Sequence, residues 1–330
     1  MKNDDFLAIG DIVIDAFIRL KDAEVHCDVN HKDCKLCVAF GAKVPFESVT
    51  VVPAVGNSPN ASVSAARLGL HSALVTNLGD DDYGKKCLAQ LEKDKVDTRF
   101  IKKHAGKKTN YHYVLWYNDE RTILIKHEEY DYELPDIGEP KWIYLSSLGE
   151  HSIPYHEKLA EYLTKHKNIN LAFQPGTYQM RFGLEKLKKI YERTEVFFCN
   201  VEELRGILSD HDSELSECMK KLQSYGPKII VTTDGNKGAY LLANGELFFS
   251  PTYPDPKPPF ERTGAGDAFS STFVAALALG KEKTEALKWA SINSMSVVQK
   301  IGAQEGLLTQ KEIVAYLEKA PEKFNVRKIF

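Results

Sequence analysis

Gly264-Ala265-Gly266-Asp267 sets a carboxylate beside a stretch of backbone with almost no side chain. An apolar run follows, in which Phe269, Phe273, Ala276 and Leu277 share one face at helical spacing. A small-residue turn that opens a helix leaves backbone N–H groups unpaired and pointing outward. The helix dipole adds partial positive charge there. Such a turn suits a phosphate, or the charge that builds on one during transfer. An acid at the edge of an anion site has a use if it handles a proton. The chemistry is then phosphoryl transfer. Asp267 accepts a proton from a substrate hydroxyl while the amides of the Gly264–Gly266 turn hold the phosphoryl group. The alternative is an ordinary glycine turn whose Asp267 caps a core helix. Spacing alone does not choose between the two.

The whole chain narrows the class. Its 330 residues suffice for one large domain or two, and 43% are hydrophobic, enough for a sizeable core. A formal charge of −3 gives no basic surplus for a nucleic-acid partner. The longest apolar run, Phe269 to Leu279, is interrupted by Ser270, Ser271 and Thr272, so no membrane span is expected. The start of the chain is acidic and soon becomes a strand, unlike a signal peptide. Six cysteines in this length do not resemble a disulfide scaffold. The expectation is a soluble cytoplasmic protein.

Several elements must position the glycine turn. Phe6 to Ile14 reads as one buried strand. It lacks the G-x-G-x-x-G that a dinucleotide-binding protein would place after it. Ser58 is the expected N-cap of the next helix, with Pro59 in its first turn. Tyr111 to Tyr117 alternates like a half-buried strand and turns back through Asn118-Asp119-Glu120. From Trp142 onward, strands near 142–145, 171–173, 196–198 and 229–232 alternate with helical stretches. That rhythm predicts βαβ units and a doubly wound, mainly parallel sheet, with sites beyond the carboxyl ends of its strands. Asn200 and Glu203 share one face at a helix start. There Glu203 holds Mg²⁺ through water, or the pair simply caps the helix. Asn244-Gly245 predicts a hairpin, and Thr309 with Glu312 a capping box. Cys27, Cys34 and Cys37, with His26 and His31 among them, form half of a zinc-like pattern. The bland reading there is a lid segment with reduced thiols.

Thr263 to Asp267 resembles the second signature of the ribokinase-like (PfkB) carbohydrate kinases, with Glu261-Arg262 where that family has Asp-Thr. Gly56 and Asn60 match its first signature, with Val55 replacing a glycine. Gly79 to Gly84 is similar to its G-x-D-x-x-G segment, and Asn200/Glu203 to its N-x-x-E motif. Thr232, Gly235 and Gly238 fall on its glycine turn near the nucleotide phosphates. The resemblance implies a large α/β domain, residues 1–15, 51–98 and 131–330, with a small β lid from 16–50 and 99–130. It implies ATP-dependent phosphorylation of a hydroxymethyl group on a ribose- or fructose-like sugar, with an adenosine- or cytidine-type nucleoside as the alternative acceptor. Asp15, Gly56 and Asn60 would contact the sugar. Asn200, Thr232, Gly235, Gly238 and Asn293 would contact the nucleotide. The loop at Ile301-Gly302-Ala303 implies K⁺, although Glu261 stands where the family has Asp. A homodimer through the lid is also implied. A non-catalytic sugar-binding regulator is the second class of reading, and the intact Asp267 argues against it.

Overall fold

The computed structural model describes residues 4–28, 34–118 and 120–330. His31 and Asp119 therefore lie outside the described residues. Seven parallel strands lie in the order Ile101–His104, Ser72–Gly79, Phe6–Ile9, Trp142–Leu145, Asn170–Phe173, Thr194–Asn200 and Ile229–Thr233. Three antiparallel strands extend that edge: Ala239–Ala243, Glu246–Ser250 and Arg327–Lys328. Helices cover both faces, and two buried apolar clusters lie one on each side. This is the doubly wound sheet that the βαβ rhythm predicts.

The apolar run from Phe6 to Ile14 is not one strand. It breaks at Gly10-Asp11, and the two halves enter different sheets. Phe6–Ile9 sits inside the large sheet, whereas Val13–Leu20 belongs to a small mixed sheet with Phe46–Val55, Tyr111–Tyr117 and Glu120–Leu124. Asp15 therefore stands within a strand of the small sheet, not at the end of the first strand. Ile101–His104 pairs with Ser72–Gly79 of the large sheet, so the small sheet does not begin at residue 99. It also runs past residue 50, to Val55.

The helix Ala265–Ala278 is buried over its whole length from Asp267 to Ala276. Small residues such as Ala268, Ala275 and Ala276 let it approach the helices Asn57–Arg67 and Lys283–Val297 closely. Phe273 is wholly buried within this packing. Its truncation to alanine would cost about 3–5 kcal/mol.

The cysteine segment forms a two-stranded hairpin, Glu24–His26 with Lys35–Cys37. Cys27 and Cys34 are joined there by a disulfide. This corrects both readings of that segment. A sulfur in a disulfide is neither a reduced thiol nor a zinc thiolate, so Cys27, Cys34 and Cys37 do not form a ligand set. Cys37 is free.

Candidate active site

Gly264 precedes the helix with φ +79°, a left-handed conformation that favours glycine. A Cβ there would stand 2.3 Å from the Ala303 side chain. Gly266, two residues on, faces open space. The Ala265 amide closes the turn onto the Arg262 carbonyl at 3.4 Å. Among the described residues, the Gly266 and Asp267 amides have no such backbone partner. They are donors available to an anion.

Asp267 does not cap the helix. Its carboxylate, buried beneath the turn, accepts three side-chain amide bonds. Asn57 donates to Oδ1 at 2.7 Å, Gln174 to Oδ1 at 3.2 Å, and Asn60 to Oδ2 at 2.8 Å. Burial raises its pKa, while the amides and the Arg121 charge oppose that shift. Oδ1 has two donors and Oδ2 one. Oδ2 is therefore the oxygen with a lone pair left for a substrate hydroxyl.

The second ring is equally determined. Gln304 Nε2 donates to Asn60 Oδ1 at 3.0 Å, which turns the Asn60 amide toward Asp267. The Tyr144 hydroxyl donates to Gln174 Oε1, and the Ser270 hydroxyl donates to the same oxygen at 3.2 Å. Asn60, expected to contact a sugar, thus donates to the Asp267 carboxylate. Sequence reasoning missed Asn57 and Gln174. Asn57 lay three residues from Asn60 in plain view, but Gln174 is distant in sequence and reaches the site only through the sheet.

The Asn57–Arg67 helix begins at Asn57, earlier than Ser58 as cap would place it. Gly56 precedes it with φ +121°, and the buried Ser58 hydroxyl donates to the Ile9 carbonyl at 2.7 Å. Opposite lies a polar cluster with fewer partners. His112 Nδ1 stands 3.5 Å from Asp15 Oδ1, within ion-pair range but without hydrogen-bond geometry. His127 Nδ1 stands 3.6 Å from Asp11 Oδ2 in the same way. The two histidine rings are 5.2 Å apart. Asp11, passed over in the sequence, is buried at the break between the two sheets and accepts from the Tyr132 hydroxyl.

A cavity of about 570 Å³ adjoins the glycine turn. Asn200, Gly235, Gly238, Ala265 and Gly266 line it. Two expected nucleotide contacts do not. Thr232 is fully buried, its hydroxyl 3.8 Å from Cys199 Sγ, and Thr233 faces the cavity instead. The period of two along a strand puts neighbours on opposite faces. Asn293 is also fully buried. It donates to Thr272 Oγ1 at 2.7 Å and accepts from the Leu308 amide at 2.9 Å, whereas Ser294 and Met295 line the cavity.

Asn200 and Glu203 form a reciprocal capping box through Asn200 Oδ1 and Glu203 Oε2, each bond 2.8 Å. Glu203 Oε1 is not used in it. Burial first, and the Asp267 charge as well, raise the Glu203 pKa. Among the described residues, no three His, Cys, Asp or Glu converge on one point as a metal cage. One free carboxylate oxygen fits a hydrated Mg²⁺ held through water. The Glu261 carboxylate, by contrast, is taken up by the Thr263 and Gly302 amides, at 2.6 and 2.9 Å. It offers little to a monovalent cation. Among the described residues, no helix is long and apolar enough to cross a membrane.

The chain is similar to known proteins over most of its length. The model of the pfkB family carbohydrate kinases matches residues 26–310. Ribokinase from Bacillus subtilis is 28% identical over 281 residues, covering 83% of this chain and 90% of that protein. The fold is that of Arabidopsis thaliana ribokinase, whose structure is complexed with ribose and ATP (TM-score 0.75, 17% identity, 96% of this chain and 99% of that one). It is equally that of Methanocaldococcus jannaschii nucleoside kinase (TM-score 0.77, 16% identity, 96% of this chain and all of that one). The chain belongs to the pfkB family of carbohydrate kinases, phosphotransferases that act on an alcohol group.

Proposed function

We propose that this kinase transfers the γ-phosphoryl group of ATP to a hydroxymethyl group of a ribose- or fructose-like sugar, with Asp267 as the base. The observation that carries the reading is Asp267 itself. It is a buried carboxylate held by three amides, with one lone pair free, directly under the amides of a helix N-terminus.

The acceptor hydroxyl gives its proton to Asp267 Oδ2 as its oxygen attacks the terminal phosphorus. A new O–P bond forms, the bond to the bridging oxygen breaks, and ADP leaves. The Gly266 and Asp267 amides meet the charge on the transferring group. Asn57, Asn60 and Gln174 keep the carboxylate ionised and fix its orientation. When bound, Mg²⁺ supplies neutralisation of the phosphate oxygens, and Glu203 would hold it through water. No step needs K⁺. Asp11 and Asp15 suit neighbouring hydroxyls, each carboxylate accepting from two. The small sheet acts as a lid that excludes water from the transfer. Its outer face exposes Val49, Val51, Tyr113 and Leu124, and we place a homodimer contact there.

The test is ADP release with ATP and Mg²⁺ against ribose, fructose, adenosine, cytidine and inosine, with Asp267→Asn as the control. Turnover with a sugar, absent in the variant, is expected. Turnover with nucleosides alone replaces the acceptor class and keeps the base. Undiminished turnover in the variant removes Asp267 from the mechanism.

A further inference from the structure

Two arginines stand where the nucleotide and acceptor compartments meet. Arg262 lines the large cavity beside Ala265 and Gly266. It also shares a small cavity with Arg121, Trp116 and Phe17 of the small sheet. Arg121 lies in register with Trp116, and the Trp116 ring meets Phe260 edge-on with centroids 5.3 Å apart. That contact rests the end of the small sheet on the loop leading into the glycine turn, and so carries Arg121 to the junction.

Neither guanidinium has a hydrogen bond or an ion pair among the described residues. The Arg121 Nε is buried and without a partner. A buried donor left unmatched costs about 1–3 kcal/mol, so one that persists points to a partner that arrives later. Glu261 and Glu120 share the small cavity with them, but neither makes an ion pair with either arginine; the Glu261 oxygens each accept a backbone amide, from Thr263 and Gly302. Burial raises the Asp267 pKa, and the Arg121 charge is among the groups that oppose that rise, so the two lie within electrostatic reach of each other.

The transferring phosphoryl group spreads negative charge over its three equatorial oxygens. A planar guanidinium matches two of them at once, which an ammonium does not. We propose that Arg121 and Arg262 are catalytic residues that clamp the γ-phosphoryl group from two sides, Arg262 from the glycine loop and Arg121 from the lid. This rests on the kinase reading above. Arg262 is at hand in the nucleotide cavity, whereas Arg121 engages only while the lid lies on the 260–262 loop. Charge neutralisation is thus completed when water is excluded.

The test does not need the acceptor. Calorimetric titration of the full chain with Mg²⁺ compares ADP with the non-hydrolysable β,γ-imido analogue of ATP, for the wild type, Arg121→Met and Arg262→Met. The wild type should prefer the triphosphate. Each variant should lose about tenfold or more of its affinity for the triphosphate analogue while ADP binding stays within about twofold. A structural role would weaken both ligands together. Should a methionine variant fail to fold, Arg→Lys keeps the charge without the fork, and is expected to lose less triphosphate affinity than Met but still a measurable part. An unchanged preference in folded variants overturns the clamp and leaves the kinase intact. A wild type that binds neither nucleotide overturns the clamp together with the kinase reading.

Discussion

The floor and the roof of the site are built on opposite terms. On the floor, Asp267 is buried and accepts three amide bonds, and the amides around it are themselves anchored by Gln304, Tyr144 and Ser270. In the roof and beside it, Asp15 Oδ1, His112 Nε2, His127 Nδ1 and Arg121 Nε are buried without a hydrogen bond. Fully matched polar networks are rigid, and unmatched ones await a ligand. Under the proposed function, the chemical step sits on the part that needs nothing from the substrate to hold its shape, and recognition on the part that is completed by what binds.

The comparison fails first at Asp267. Asp267→Asn should lower kcat by about 10³-fold, since a positioned base contributes about 10²- to 10⁴-fold. It should also destabilise the fold by about 1–3 kcal/mol, because its new NH₂ group meets an amide donor from Asn57, Gln174 or Asn60. Thermal melting checks the second effect. A melting point equal to the wild type would mean that the floor is not the closed network described.

Two glycines of one turn sharpen the distinction between holding shape and receiving a ligand. Gly264→Ala forces a left-handed φ on alanine and drives its Cβ against the Ala303 backbone and side chain. A stability loss of about 2–4 kcal/mol is expected. Gly266→Ala meets nothing within 4 Å. It should melt like the wild type yet bind ATP more weakly, because the new methyl group enters the cavity. Equal melting points for the two variants would break the argument.

In the roof, Asp15→Asn should raise the acceptor KM by about 10- to 100-fold with kcat little changed, as expected for two lost hydrogen bonds. Stability should fall little, since Asp15 Oδ1 has no hydrogen bond and only the 3.5 Å approach of His112. A melting point several degrees lower would show that the roof is as self-sufficient as the floor.

The pH profile separates the two again. Asn60→Ala removes a donor that favours the Asp267 carboxylate, so the Asp267 pKa rises. The base works ionised, and the acid limb of kcat against pH should therefore move to higher pH. Asp15→Asn should leave that limb in place. The smallest effect is expected at the distal hairpin. Cys27→Ser with Cys34→Ser should leave kcat within about twofold, since the ordinary outcome for a surface change away from the site is near-neutral.

Much of the fold was legible because it rests on local pattern. The strands around 142–145, 171–173, 196–198 and 229–232, the Asn244-Gly245 hairpin and the Thr309–Glu312 capping box all follow from short-range spacing. The break at Gly10-Asp11 was not legible, because both halves of Phe6 to Ile14 are apolar and either sheet would bury them. Thr232 and Asn293 are turned away from the cavity for a related reason. A motif fixes a position along the chain, but a shift of one residue in a strand or helix turns the side chain to the other face.

The sequence by itself determined the form of the glycine turn: backbone without side chains, at the start of a helix and next to an acid. Only the tertiary structure decided what stands around that acid. Asn57, Asn60 and Gln174 come from a helix start and from the end of a distant strand, and they converge because the parallel sheet brings its carboxyl ends to one edge. Arg121 and Arg262 meet only because a separate sheet folds back onto the loop between Phe260 and Gly264. Such convergence depends on long-range packing, which no local spacing encodes.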